Sequence, residues 1–136
     1  MIRLFLDANV LFTAAHNPHG KAALIIELSG AKWEVATSAY CVMEARHNLE
    51  RKYPKCSGRM DEILGKIRIV PDVIGDRCPI PLPEKDRPVY AAAVRCRAGR
   101  FLTGNRRHFG PFMNEPERTT GMTVQTVGDF LKEISR

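Results

Sequence analysis

No stretch of this 136-residue chain approaches the roughly 18 consecutive apolar residues that a membrane-spanning helix needs. The opening carries one basic residue, Arg3, ahead of a short apolar run that Asp7, His16 and His19 soon interrupt. Neither a span nor a leader peptide is expected, and the chain reads as cytoplasmic. Cysteine is sparse: Cys41, Cys56, Cys78 and Cys96 form no CxxC and no Cys/His pair at zinc-ligand spacing. This argues against a zinc site or redox pair and for reduced thiols, mostly buried as small hydrophobes. Glycine is missing from DANVLF, the segment after the first apolar run, so the phosphate-cradling loop of nucleotide-binding α/β proteins is not there. Repeats, low-complexity tracts and linkers are also absent, and 136 residues at 44% hydrophobic content fit one domain with a real core.

What is present in excess is positive charge. Twenty-one Lys and Arg against 15 Asp and Glu give a formal +6. The basic residues cluster at Arg46, Arg51, Lys52 and Lys55, at Arg95, Arg97 and Arg100, and at Arg106 and Arg107. Such a surface suits a polyanionic partner. Charge alone equally fits a solvated helix face.

Apolar runs and turn signals alternate along the chain. IRLFL (2–6) reads as a buried strand, 9–16 as a short helix stopped by NPHG, and KAALIIEL (21–28) as a second helix with Gly30 as its stop. WEVATS (33–38) reads as a strand, and Ser38 is a natural cap for a helix running to about Tyr53. A helix over 56–67, a strand over 67–70 and a proline-rich loop over 71–83 follow. The pattern then predicts a helix over 86–98, with Asp86 as cap, Pro88 in the first turn and Gly99 as stop. FLT (101–103), MTV (122–124) and a closing helix over 126–134 complete a βα alternation. This pattern implies a mainly parallel sheet of about five strands, covered on both faces.

In such a sheet, ligands collect beyond the carboxyl ends of the strands. Asp7 ends the first strand, Thr103, Gly104 and Asn105 end the fourth, and Asp86 and Glu44 sit near helix starts that can reach the same rim. Converging carboxylates repel, and a hard divalent cation relieves the repulsion. Each residue also has a plainer role open to it. Asp7 and Asp86 suit helix caps, Glu44 shares a polar stripe with Tyr40, His47, Asn48 and Arg51, and Thr103 to Asn105 suit a turn.

The segments LFLDANVLF, VMEAR, LPEKDRPVYAAAV and FLTGNRRHFGP, in this order and spacing, resemble the PIN domain, a metal-dependent ribonuclease fold. The resemblance extends over nearly the whole chain and is nearest to small single-domain PIN proteins, many of them toxins of toxin–antitoxin pairs. It implies a three-layer α/β/α sandwich, usually dimeric, with RNA as substrate and an antitoxin as partner. It places Asp7, Glu44 and Asp86 at the first three family acids and Asn9 at the polar residue that helps hold the first. Thr103 falls at the hydroxyl residue before the fourth acid. Asn105 stands where the family most often has Asp; an amide oxygen still ligates Mg²⁺ or Mn²⁺, but more weakly.

The mechanism implied is in-line phosphodiester hydrolysis, with Asp7 and Asp86 holding Mg²⁺ or Mn²⁺ and Glu44 completing the acidic pocket. Arg46, Arg106 and Arg107 are the expected phosphate contacts. His108 reads as part of the HFGP turn rather than as a general base. A PIN domain with weak or no catalysis, binding RNA or protein, is the alternative that Asn105 keeps open. A nucleotide-binding receiver or flavodoxin-type domain ranks below both for want of the glycine loop.

Overall fold

The computed structural model describes residues 1–75 and 77–136. Five strands, β1 (Arg3–Leu6), β2 (Glu34–Ser38), β3 (Arg68–Val70), β4 (Arg100–Leu102) and β5 (Thr123–Gln125), form one sheet in the order β3-β2-β1-β4-β5. Every pairing is parallel. Seven helices connect them among the described residues: α1 (Ala8–His16), α2 (Lys21–Glu27), α3 (Ala39–Lys52), α4 (Ser57–Leu64), α5 (Arg87–Arg95), α6 (Arg106–Phe109) and α7 (Val127–Ile134).

Parallel strands need crossover connections, and helices that cover the sheet supply them. Alternate residues of a strand face opposite sides, yet Leu4, Phe5 and Leu6 are all fully buried, so both faces of β1 are covered. On one side Phe101 of β4 stacks on Phe5 with ring centroids 5.6 Å apart and meets Tyr90 of α5 and Phe109 of α6. Replacing Phe101 by Ala would remove the shared partner of three rings, at a cost of about 3–5 kcal/mol.

Helix starts are built as the residue types dictate. Ser38 accepts from the Cys41 amide and Thr126 from the Asp129 amide, each capping the helix that follows. Asp86 departs from expectation: it precedes α5 without a side-chain cap bond, because a 3₁₀ turn over Glu84–Asp86 already leads into the helix. The end of α5 differs too. The helix stops at Arg95, and Arg97 takes the left-handed conformation (φ 60°), so Gly99 is not the stop. Gly99 is needed for a different reason: a Cβ there would lie 3.0 Å from the Ile2 side chain. The helix expected over 56–67 is shorter, because Pro54–Cys56 form a 3₁₀ turn and α4 occupies Ser57–Leu64. Of the four thiols only Cys41 is buried; Cys56, Cys78 and Cys96 are half-buried at the edges of the packed layers. No described helix is long and apolar enough to cross a membrane.

Candidate active site

The strand order reverses direction at the centre of the sheet. From β1 the chain moves to β2 and β3 on one side, then returns to β4 and β5 on the other. The carboxyl ends of β1 and β4 therefore flank a topological switch point, where open α/β sheets bind ligands. Asp7 follows β1 and Thr103-Gly104-Asn105 follow β4, joined by a hydrogen bond from the Asp7 amide to the Leu102 carbonyl (3.0 Å).

Side chains lock the two segments together. Asp7 Oδ1 accepts from the Ala8 amide at 2.8 Å, and Oδ2 accepts from the Thr103 hydroxyl at 2.8 Å and the Asn9 amide at 3.1 Å. Asn9 Oδ1 in turn accepts from the Gly104 amide at 2.7 Å, and Thr103 Oγ1 accepts from the Asn105 amide at 3.0 Å. Glycine at 104 permits this approach, since a Cβ would lie 3.3 Å from Asn9 Oδ1. Asp7 thus does what both readings of it require: it caps the start of α1 and belongs to the rim.

Asp86 arrives from the 3₁₀ turn before α5 and is as buried as Asp7, each 8% exposed. The two carboxylates are close enough to feel one another. Burial pushes the Asp7 carboxyl above its usual range and the charge of Asp86 adds to the shift, while the bonds from Thr103, Ala8 and Asn9 only partly offset it. Asp86 Oδ2 is buried and accepts no hydrogen bond of ordinary geometry; the His108 Nδ1 atom stands 2.5 Å from it. The half-buried Glu44 on α3 lies beside Tyr40, whose hydroxyl is held above its ordinary pKa by burial and then by the Glu44 carboxylate.

These groups open into one cleft of about 790 Å³, lined by Asp7, Asn9, Glu44, Asp86, Thr103 and Asn105 among others. Among the described residues, no three His, Cys, Asp or Glu side chains converge as a preformed metal cage. The donor set still fits a hard cation. Two buried carboxylates interact without a Lys or Arg partner among the described residues, and Asp86 Oδ2 has only the His108 ring nitrogen beside it. Cys41 lies behind Asp7 with its thiol pushed up to about 12 by burial, which leaves it inert as a nucleophile.

Four residues named from sequence sit differently from the rest. Asn105 lines the cleft, but its Oδ1 accepts from the His108 amide and caps α6, and its Nδ2 lies 3.1 Å from the His108 ring. Arg46 forms an ion pair with Asp61 of α4 at 2.7 Å and is not part of the cleft lining. Arg106 and Arg107 are exposed on α6 next to Asn105, outside that lining. The cations that do line the cleft are Lys21, Lys52 and Lys85. Lys52 belongs to a cluster visible in the sequence, but nothing local marks Lys21 or Lys85. Sequence reasoning also missed the approach of His108 to Asp86, since it joins residues far apart in the chain.

No family model matches the chain, and no curated protein matches it. Solved structures do. VapBC2 from Rickettsia felis, bound to a DNA fragment from its promoter, aligns at 15% identity over 92% of this chain and 98% of its own, with a TM-score of 0.64. VapBC-1 from nontypeable Haemophilus influenzae aligns at 12% identity over 93% and 99%, with a TM-score of 0.58. PAE2754 from Pyrobaculum aerophilum aligns at 13% identity over 99% and 91%, with a TM-score of 0.59. Likeness at such identity carries architecture, and the parallel five-stranded sheet flanked by helices agrees with it: the chain has a PIN-like α/β fold.

Proposed function

We propose that the chain is a metal-dependent endoribonuclease and the toxin of a toxin–antitoxin pair. The supporting observation is the approach of two buried carboxylates, Asp7 and Asp86, at the switch point of the sheet, where the one basic group beside Asp86 Oδ2 among the described residues is the His108 ring. Structure seldom keeps such a pair for stability, because two like charges out of water destabilise the fold. Mg²⁺ retains several waters and is commonly held by one or two carboxylates plus substrate phosphate, so it does not require a cage of three protein ligands. Asp7 and Asp86 would hold Mg²⁺ or Mn²⁺, which when bound polarises the phosphate and lowers the pKa of a bound water.

The protein's own groups supply position and charge. The Thr103 hydroxyl and Asn9 amide fix the Asp7 carboxylate, so little reorganisation is needed on binding. Glu44 extends the acidic wall on the α3 side, and Lys21, Lys52 and Lys85 offer contacts to the phosphodiester backbone, with Arg106 and Arg107 beyond the rim. The VapBC likeness supports an antitoxin partner, and the sequence resemblance alone implies a dimer of this chain. The second reading, a weak or inactive PIN-like module that binds RNA or protein, is favoured by Asn105, whose side-chain oxygen caps α6.

Purified protein incubated with unstructured RNA in EDTA, Mg²⁺ or Mn²⁺ separates the two. The enzyme reading requires cleavage with a divalent ion and none in EDTA. RNA binding with no cleavage under any divalent ion would leave the binding module.

A further inference from the structure

The cleft continues well beyond the acids. Asn9, Thr13 and Asn17 from α1 and the turn after it line one side; Tyr40, Glu44, Asn48 and Lys52 line the other. The latter four recur every fourth residue along α3 and so form a single stripe. The lining also reaches an aromatic group that the acidic site does not use. Phe12 is in the cleft lining, and its ring packs against His16 (5.1 Å) and Tyr53 (5.8 Å). His16 stacks on Tyr53 at 4.6 Å with the planes 13° apart, and the Lys52 ammonium sits 5.7 Å over the Phe12 ring. Tyr53 is 45% exposed, Phe12 and His16 are half-buried, and Lys52 is exposed, so this cluster meets solvent.

We infer that Phe12, backed by Tyr53 and His16, is a stacking subsite for an unpaired base of single-stranded RNA, with Lys52 and Lys21 taking the adjoining phosphate. The inference rests on the reading of the cleft as an RNA-cleaving site and adds where the strand lies. Phe12 is five residues along α1 from Asp7, about 7.5 Å of helix rise, which places the ring near the acids rather than across the molecule. Single-stranded nucleic acids are gripped by this pairing of aromatic face and cation, and stacking tolerates any base. A base stacked on the ring is worth more than an exposed cation over it, so it displaces the Lys52 ammonium toward the phosphate. A duplex cannot offer the base without unstacking it, so the subsite selects unpaired RNA.

The test is binding in EDTA, where no cleavage is expected, of a short unstructured RNA carrying 2-aminopurine at successive positions. One position should be quenched by stacking. Phe12→Ala should abolish that quench and weaken binding about tenfold, while Phe12→Trp should preserve both. An abasic substitution at that position should weaken binding to the parent and leave Phe12→Ala unaffected. Phe12→Leu, which keeps apolar bulk without a ring, should behave like Phe12→Ala and guards against loss of fold. Equal binding of intact and abasic RNA by the parent would overturn the stacking subsite and leave the rings to a protein partner. Metal-dependent cleavage would then still stand, whereas failure of both binding and cleavage would remove the ribonuclease reading with it.

Discussion

Carboxylates on the outer surface and carboxylates in the cleft are treated in opposite ways. Away from the cleft, Glu27 meets Lys66 at 2.6 Å and Arg59 at 3.9 Å, and Glu133 meets Arg100 at 2.7 Å and the Gln125 amide. Their pKa values are lowered, for Glu27 chiefly by Lys66 and for Glu133 chiefly by the Gln125 hydrogen bond followed by Arg100. In the cleft, Asp7 is raised by burial, and its charged neighbour is another acid. Glu27 and Glu133 meet cations on the outer surface. Asp7 at the switch point meets a second carboxylate instead, and this difference marks the site more clearly than any local motif does.

The strongest break in that comparison is removal of a cleft acid. Asp86→Asn and Asp7→Asn should each reduce divalent-dependent RNA cleavage by at least about a hundredfold, a loss comparable to removing a principal charge-stabilising group. Both should keep native circular dichroism. Retention of full cleavage by Asp86→Asn would show that the paired acids are not the reacting centre.

Asn105 sharpens the same point from the other direction. Asn105→Asp adds a carboxylate to the cleft and retains a side-chain oxygen able to cap α6. It should lower the Mn²⁺ concentration for half-maximal cleavage several-fold, and the parent should favour Mn²⁺ over Mg²⁺. An unchanged metal dependence would place residue 105 outside the metal environment.

Stability against pH gives a smaller, structural readout. In EDTA the raised pKa of Asp7 means that the folded protein binds its proton more tightly than the unfolded chain. The contribution of Asp7 to stability is therefore fully present below its unfolded value, 3.8, and is lost as pH rises through its folded value. Glu27 and Glu133 slope the other way, so the informative quantity is the difference between parent and Asp7→Asn. That variant gives up a bond with Asn9 or Ala8 but removes the buried charge, and near neutral pH it should be no less stable than the parent. A variant less stable at pH 7 but equal at pH 4 would show that the capping bonds outweigh burial of the charge.

The smallest effects distinguish cations. Lys52→Ala should lower the salt slope of RNA binding by roughly 0.7 for each phosphate left without a cation, and paired substitution of Arg106 and Arg107 should lower it further. Arg46→Ala should do least, because Asp61 already holds that guanidinium. A larger change from Arg46 than from Lys52 would place the RNA on the α4 side instead.

Much of the fold is legible in the sequence because it depends on neighbours. The strand end at Leu6, the caps at Ser38 and Thr126, and the break at Pro54 follow from residues a few positions apart. The rim position of Asp7, Thr103 and Asn105 follows once parallel βα units are recognised. Other features depend on contacts that local pattern does not encode. Arg97 rather than glycine takes the left-handed turn after α5, and Gly99 packs on Ile2 from the far end of the chain. The Asp86–His108 approach and the pairing of Arg46 with Asp61 are likewise set by the tertiary fold. Clustered charge in the sequence cannot say which cations face the cleft, since that depends on helix orientation.

Whether Asp7 and Asp86 bind a divalent cation together decides between these readings, and Mn²⁺ titration by calorimetry on the metal-free protein measures it directly, with no RNA present. The parent should bind Mn²⁺ more tightly as pH rises, because the ion competes with protons for the Asp7 carboxylate. Asp7→Asn and Asp86→Asn should each lose that binding, while Asp61→Asn on the outer surface should retain it. Equal Mn²⁺ affinity in the parent and Asp86→Asn would contradict the metal site and the ribonuclease reading built upon it.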